Sequence, residues 1–121
     1  MPVKNILVVD DSPTERFFAV DLLTKAGYQV TTAESGEEGI AKAKAGKPDL
    51  ILMDVVMPGL NGYQATRTLT RDEDTKNIPV IVCTTKGLET DKIWGLRQGA
   101  IDYLVKPLNP TELLARIAAL P

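Results

Sequence analysis

The sequence predicts a three-layer α/β domain built around a parallel β-sheet. Five short apolar runs alternate with longer segments that carry helix start and stop signals. Four of the runs are apolar at nearly every position, which is typical of strands buried on both faces of a parallel sheet. The length of 121 residues leaves room for one such domain and one core.

The apolar runs give the predicted strands: Ile6–Val9, Gln29–Ala33, Leu50–Met53, Val80–Val82 and Tyr103–Val105. The second run is more polar than the others, so we expect it at an edge of the sheet. Strand and helix alternate along the whole chain, which implies helices on both faces. No linker, repeat or low-complexity tract interrupts this alternation, so residues 1–121 are expected to form one domain without a separate effector domain.

Helix boundaries follow from short polar motifs. Three cap residues each precede a glutamate by three positions, the spacing of a capping box, in which cap and glutamate side chains bind each other's backbone N–H groups. The predicted caps are Ser12, Ser35 and Asn109. Glycines follow the predicted helices, at positions that favour left-handed backbone. These predicted stops are Gly27, Gly46 and Gly99.

Composition argues against several functional classes. A formal net charge of -2 gives no broad basic surface, so nucleic-acid binding is not expected. No apolar stretch approaches the roughly 20 residues of a membrane span, and no signal peptide pattern is present, so we expect a cytoplasmic protein that does not insert into membranes. The chain has no histidine, which excludes histidine ligands and histidine-based catalysis. Cys83 lies in an apolar run and is expected to be a buried structural thiol.

Three aspartates follow two of the predicted strands. Asp10 and Asp11 end the first run, and Asp54 ends the third. In open parallel sheets, sites form beyond the carboxyl ends of strands where strand order reverses. If the two strands are neighbours, three carboxylates converge and repel one another unless a cation is present. A hard divalent cation, Mg²⁺ above all, suits such oxygen ligands. The alternative for any single aspartate is a turn or cap.

Two further strand ends complement this acidic cluster. Thr84 and Thr85 follow the fourth run and offer hydroxyl donors. Lys106 follows the fifth run, where it would pair with a carboxylate and offer a cation to a phosphoryl oxygen. The bond from Lys106 to Pro107 is a candidate cis peptide. A lone lysine at a strand end is usually solvated, so its significance depends on the neighbouring carboxylates.

At these residues the sequence resembles the receiver domain of two-component response regulators. The resemblance covers the whole chain. Its motifs are Ile6-Leu-Val-Val-Asp-Asp11, Met53-Asp-Val-Val-Met-Pro-Gly-Leu-Asn-Gly62, Cys83-Thr-Thr85 and Asp102-Tyr-Leu-Val-Lys-Pro107. Within the family the chain is similar to stand-alone CheY-like regulators. Its segment 89–99 also resembles the PilH type, which serves type IV pilus motility and phototaxis.

The resemblance implies a doubly wound, five-stranded sheet ordered 2-1-3-4-5, and it implies roles for the site residues. Asp54 would accept a phosphoryl group. Mg²⁺ would be held by Asp10, Asp11, Asp54 and the backbone carbonyl of Val56. Lys106 and Thr84 would contact the phosphoryl group, and Tyr103 would change rotamer together with Thr84.

The resemblance also implies the partners. A CheA-like histidine kinase would be the phosphodonor, and a downstream protein would bind a surface of the fourth predicted helix, the fifth strand and the last helix. Trp94, Leu96 and Tyr103 are the predicted contacts on it. At 100° per residue, Ile93 and Leu96 share a helix face and Trp94 lies off it, which favours exposure of Trp94. We expect a monomer or weak dimer that switches state rather than turning over substrate.

Three positions depart from the chemotaxis pattern. Val56 and Lys86 stand where polar or acidic groups often help a hydrolytic water, which predicts slow loss of the phosphoryl group. Thr85 is bulkier than the small residue often found there and would restrict access to Asp54.

Three rival functions remain open at this level. A phosphorylation-independent adaptor with a receiver fold is the strongest rival. A magnesium-dependent phosphohydrolase would usually place a second carboxylate two residues after its nucleophile, where this chain has Val56. A flavodoxin-like carrier would need a hydroxyl- and glycine-rich first loop, whereas residues 10–15 are acidic.

Overall fold

The computed structural model describes residues 3–84, 93 and 95–120. The strands are β1 (Asn5–Val9), β2 (Gln29–Ala33), β3 (Leu50–Asp54), β4 (Val80–Thr84) and β5 (Asp102–Val105). The helices with complete bounds are α1 (Pro13–Lys25), α2 (Gly36–Gly46), α3 (Gly62–Arg71) and α4 (Pro110–Ala118). Residues 93 and 95–97 are also helical. No helix in the described ranges combines the length and apolar character that a bilayer span requires.

All five strands run parallel in one sheet ordered β2-β1-β3-β4-β5, which confirms the predicted fold. Val9 near the end of β1 pairs with Ala33 on one side and Met53 on the other. The chain therefore adds β2 on one side of β1 and later strands on the other, which makes the β1–β3 boundary the point where strand order reverses. The more polar β2 lies at an edge, as predicted.

Alternating side chains of the strands divide the core into two layers. On one face, Leu52 and its neighbours pack against α1 and α4. On the other, Met53 and its neighbours pack against α2 and α3. Gly95 lies against Val82 on this second face, where an added Cβ would come within 2.8 Å of a Val82 methyl group. The sheet is thus covered on both sides, which leaves the ends of the strands for a site.

The predicted N-cap residues are confirmed, but the predicted capping boxes do not close at Ser12 or Ser35, where Glu15 binds Lys106 and Glu38 accepts from the Glu34 N–H at 2.9 Å. The side-chain oxygens of Ser12, Ser35 and Asn109 each accept a hydrogen bond from the backbone N–H three residues on, at 3.3, 3.1 and 3.0 Å. These bonds satisfy N–H groups that the first helical turn leaves without a partner.

Two of the three predicted glycine stops are confirmed, since Gly27 and Gly99 have φ of 100° and 103°. The prediction for Gly46 is wrong by one residue. Gly46 is the last residue of α2, and the left-handed residue is Lys47 at φ 44°. The reason is that the Lys47 N–H still donates to the Ala43 carbonyl at 2.9 Å, so helical hydrogen bonding runs past the glycine.

Candidate functional site

Three carboxylates meet at the reversal point of the sheet. Asp10 follows β1 directly, Asp11 comes next, and Asp54 is the last residue of β3. Each offers one oxygen, and these oxygens all lie within 4.8 Å of one another. Asp10 and Asp54 are buried and Asp11 is exposed. The expected convergence is therefore observed, with two carboxylates inside the crevice and one at its mouth.

The Asp10 carboxylate is fixed by its own neighbours in the chain. Its backbone N–H continues the β1–β2 ladder by donating to the Ala33 carbonyl at 3.0 Å. One carboxylate oxygen accepts from the Ser12 N–H at 2.9 Å. The Asp10 carbonyl accepts from the Arg16 guanidinium at 2.8 Å. These bonds hold Asp10 in place independently of any bound ion.

Lys106 reaches into the acidic cluster from the end of β5. Its backbone N–H donates to the Thr84 carbonyl at 2.7 Å, and its peptide bond to Pro107 is cis, as predicted. The ammonium lies 2.7 Å from an Asp10 oxygen and 3.0 Å from an Asp54 oxygen. The predicted pairing of this lysine with the aspartates is therefore present.

Burial and charge shift the pKa values of the buried pair. The pKa of Asp54 is raised to about 6; burial is the main cause, the hydrogen bond with Lys106 opposes it, and the Asp10 charge adds to it. Burial alone would lower the pKa of Lys106, but its hydrogen bonds to Asp10, Glu15 and Asp54 raise it above the ordinary value. The lysine is thus cationic throughout the physiological range, while burial disfavours the ionised form of Asp54.

Cys83 pairs with Asp54 in the sheet and is buried, as expected of a structural thiol. Burial raises the pKa of this thiol to about 12. A neutral thiol is a weak nucleophile, so the position supports packing rather than covalent chemistry.

Thr84 and Tyr103 lie on the opposite face of the sheet from Lys106. Thr84 is the buried last residue of β4 and pairs with Val105. Tyr103, two residues earlier on β5, is half-buried and packs against the core beneath α2 and α3. Strand alternation places Thr84 and Tyr103 on one face as diagonal neighbours. Their predicted joint movement stays a prediction.

The other predicted site residues divide into two groups. Val56 is two residues beyond β3 with its side chain 57% exposed, and the role of its carbonyl as a metal ligand stays a prediction. Leu96 is exposed, as a partner contact must be. Trp94, Thr85 and Lys86 lie outside the described residues.

The sequence reasoning missed the role of Glu15 at the site. Glu15 was expected to close a capping box on Ser12, but its carboxylate accepts a hydrogen bond from the Lys106 ammonium at 2.9 Å. The box does not close because the Ser12 N–H already donates to Asp10. The only sequence signal for this contact was that Glu15 lies in the first turn of the helix that follows Asp10 and Asp11.

A cavity of about 250 Å³ opens beside the carboxylates, between α1 and the end of β5. Its walls are mostly apolar and include Leu52, Cys83 and Phe18. Its polar end is formed by Asp54, Lys106 and their acidic neighbours. Asp54 therefore lies at the polar end of an otherwise mostly apolar cavity.

A family comparison agrees with this geometry. The model of the response regulator receiver domain matches residues 6–118. The chain belongs to the response regulator receiver family. Among its relatives, this receiver chain is 59% identical to the protein PilH of Pseudomonas aeruginosa over 94% of both chains. Transcriptional regulators also match, and the receiver chain spans about half of their length.

Solved structures show the same fold. A chemotaxis CheY protein of Vibrio cholerae is 36% identical, with a TM-score of 0.89 over 95% of this chain and 96% of that one. The receiver domain of a sensor histidine kinase from Pseudomonas aeruginosa is 34% identical, with a TM-score of 0.87 over 95% of this chain and 94% of its own. That protein holds a magnesium ion in its active site cleft.

Proposed function

We propose that this receiver domain is a phosphorylation-driven switch that accepts a phosphoryl group on Asp54. The observation that carries the proposal is the Lys106 ammonium, which lies within 3.0 Å of both Asp10 and Asp54 at the switch point of the sheet. A buried carboxylate, a fixed cation beside it and two further acids suit phosphoryl transfer, in which catalysis comes from positioning and charge neutralisation.

The proposed donor is a phosphohistidine on a CheA-like histidine kinase. An Asp54 carboxylate oxygen attacks phosphorus, forming the O–P bond as the P–N bond of phosphohistidine breaks. The electron pair of that bond stays on the imidazole nitrogen, which takes up a proton from solvent. The 121 residues contain no histidine, so the phosphohistidine of this proposal lies outside them.

The residues present fit a divalent cation. Three carboxylate oxygens within 4.8 Å of one another supply the hard ligands that Mg²⁺ prefers. Burial, and to a smaller extent the Asp10 charge, raise the pKa of Asp54, so a cation beside this carboxylate would favour its ionised form. Asp10, Asp11 and Asp54, with the Val56 carbonyl, would hold Mg²⁺, which would neutralise charge on the transferring phosphoryl oxygens.

An exposed apolar surface beside β5 suits the downstream target. Ile93, Leu96, Ile101 and Val105 are large apolar side chains in this region, and all are exposed. Phosphorylation adds about -1.5 to -2 charge and new acceptor oxygens at Asp54. Thr84 would then move toward the phosphoryl group and Tyr103 into the space behind it, which would change the presentation of this surface.

Type IV pilus motility is the proposed setting. The 59% identity to PilH over nearly the full length of both chains supports it. In this setting the chain acts as a regulator that changes state and not as an enzyme of repeated turnover. A cytoplasmic location and a monomeric or weakly dimeric state stay predictions.

Intact mass spectrometry tests the acceptor. After incubation with acetyl phosphate and Mg²⁺, we expect one phosphoryl adduct on the wild type and on the control Asp72→Ala, which alters an acid of the α2–α3 region. We expect none on Asp54→Ala or with EDTA present. An adduct on Asp54→Ala would refute the acceptor site. The adaptor function would instead be supported by two results together. The wild type would show no adduct, and the downstream target would bind Asp54→Asn as tightly as it binds the wild type.

A further inference from the structure

The Lys106 ammonium has three carboxylate neighbours. It lies 2.7 Å from Asp10, 2.9 Å from Glu15 and 3.0 Å from Asp54. A lysine ammonium has three N–H donors and no more. Two of them donate to Asp10 and Glu15, and the Asp54 oxygen lies at ion-pair distance from the same nitrogen. A phosphoryl oxygen at Asp54 therefore competes with these carboxylates for the Lys106 ammonium.

Glu15 is the partner that Lys106 can release most easily. The side chains of Asp10 and Asp54 are 8% and 6% exposed, whereas that of Glu15 is 46% exposed. Breaking a buried pair leaves an unpaired buried charge, which is strongly unfavourable. A half-exposed carboxylate is rehydrated when it leaves, so its separation costs little.

The first turn of α1 does not depend on this contact. Ser12 caps the helix by accepting from the backbone N–H of Glu15 at 3.3 Å, which does not involve the Glu15 carboxylate. The Ser12 N–H that a capping glutamate would bind is taken by Asp10 at 2.9 Å. The Glu15 side chain is thus free to exchange between Lys106 and water while the helix keeps its cap.

We propose that Glu15 is a positioning residue that holds Lys106 in the unphosphorylated state and gives it up to the incoming phosphoryl group. The proposal rests on Asp54 being the acceptor. Glu15 and a phosphoryl oxygen compete for one N–H of the same ammonium. Removing the Glu15 charge therefore strengthens binding of a phosphoryl group at Asp54, and the exchange couples phosphorylation to the first turn of α1.

Beryllofluoride, a tetrahedral mimic of a phosphoryl group bound to a carboxylate, provides the test. Its affinity is measured by calorimetry at saturating Mg²⁺ for the wild type, Glu15→Gln, Glu15→Asp and the control Asp21→Asn. We expect Glu15→Gln to bind about two- to fivefold more tightly, the range of an exposed ion pair. Asp21 lies on the same helix in an exposed pair with Lys25, so Asp21→Asn removes equal charge and should leave the affinity unchanged.

Glu15→Asp separates the direct contact from the general field of the charge. Aspartate keeps the charge but is one methylene shorter, so we expect its carboxylate to lie farther from the Lys106 ammonium and to hold it less well. Tighter binding by both Glu15→Gln and Glu15→Asp supports the proposal. Tighter binding by Glu15→Gln alone overturns it in favour of a long-range charge effect. A variant with a merely structural defect would bind more weakly, which also overturns it.

The same titration distinguishes failure of this proposal from failure of the proposed function. A wild type that does not bind beryllofluoride refutes Asp54 as acceptor. A wild type that binds it, together with a Glu15→Gln variant of equal affinity, refutes only the role of Glu15.

Discussion

At the scale of single residues, the site consists of several carboxylates grouped around one ammonium. Lys106 is nearly buried and is surrounded by Asp10, Glu15 and Asp54. Three carboxylates carry more negative charge than one lysine neutralises, and the raised pKa of Asp54 reflects this excess together with burial. The imbalance favours a further cation and, once that cation is present, an electrophilic phosphoryl group.

Val56 should set the lifetime of the phosphorylated state. Its side chain is 57% exposed beyond the end of β3, and valine has no group that orients a hydrolytic water. We expect Val56→Asn to speed loss of the phosphoryl group about two- to tenfold, the effect of one hydrogen bond of ~1 kcal/mol. Phosphate release after loading with acetyl phosphate measures the rate. Val56→Ala is the control, because it opens space without adding a donor; equal acceleration by alanine would show that access and not water orientation limits hydrolysis.

The residues of the site differ in how well sequence predicts them. Asp10, Asp54 and Lys106 were predictable because each ends or directly follows a recognisable strand, and parallel strands bring such ends together. The Glu15 contact was not, because S-x-x-E spacing predicts a capping box equally well. Glu15 can bind the Ser12 N–H only if that group has no other acceptor. Here the Asp10 side chain is oriented so that it accepts from the Ser12 N–H, and this orientation is not visible in the sequence.

At the scale of elements, the start of α3 and the end of β3 approach very closely. A Cβ at Gly62 would lie 2.1 Å from the Asp54 carbonyl oxygen and 2.7 Å from the Val55 Cα. The Gly62 N–H donates to the Val55 carbonyl at 3.0 Å, which closes the turn after the acceptor strand. Only glycine fits here without movement of the backbone that carries Asp54.

We therefore expect Gly62→Ala to lower the free energy of unfolding by about 2–3 kcal/mol, the cost of overpacking a site that cannot relax. Gly46→Ala is the matched control. Gly46 is helical, and an added Cβ would meet nothing within 4 Å. That change should stabilise the protein by about 0.4–1 kcal/mol through the unfolded state. Urea unfolding measures both, and a Gly62→Ala variant as stable as the wild type would contradict the close approach.

Helix α1 presents an exposed aromatic face next to the site. Phe17 is 73% exposed, and Phe18 lines the cavity that leads to Asp54. An aromatic group at this exposure suits contact with a protein donor, whereas acetyl phosphate is too small to use it. We expect Phe17→Ser to slow phosphotransfer from the histidine kinase about tenfold and to leave phosphorylation by acetyl phosphate unchanged.

Ile101→Ser is the control for this prediction. Ile101 is also an exposed apolar residue, directly before β5. Its substitution should leave both phosphorylation rates unchanged and weaken binding of the downstream target. Equal slowing by Phe17→Ser with both donors would place the defect in the site itself and not in docking.

The sequence predicts the order of the strands and helices better than the residues at which they end. The five strands were predicted to within two residues; four of them are nearly unbroken apolar runs, as buried parallel strands require, and the more polar β2 lies at an edge. The end of α2 was misplaced by one residue, because either a terminal glycine or the residue after it can take the left-handed conformation. Lys47 takes it here, a choice set by which N–H makes the last helical hydrogen bond.

At the scale of the whole molecule, the buried Asp54 carboxylate should make the free energy of unfolding depend on pH. Ionised Asp54 is buried, with a folded-state pKa of about 6 against an ordinary value of 3.8. The folded protein therefore binds this proton more tightly than the unfolded chain. Stability from this group is fully present below pH 3.8 and is lost as pH rises through 6. Histidine side chains ordinarily titrate in this pH range, and the sequence has none, so they do not overlap with the titration of Asp54.

In metal-free protein, we expect the free energy of unfolding to fall by about 1 kcal/mol between pH 5 and 7.5 because of Asp54. Asp54→Asn should remove this slope and raise stability at pH 7.5 by about 1–3 kcal/mol. Mg²⁺ should stabilise the wild type more at pH 7.5 than at pH 5, since protons and cation compete for one carboxylate. Urea unfolding with and without Mg²⁺ measures all three. A slope that persists in Asp54→Asn would place the titrating group elsewhere, and Mg²⁺ stabilisation independent of pH would separate the metal from Asp54.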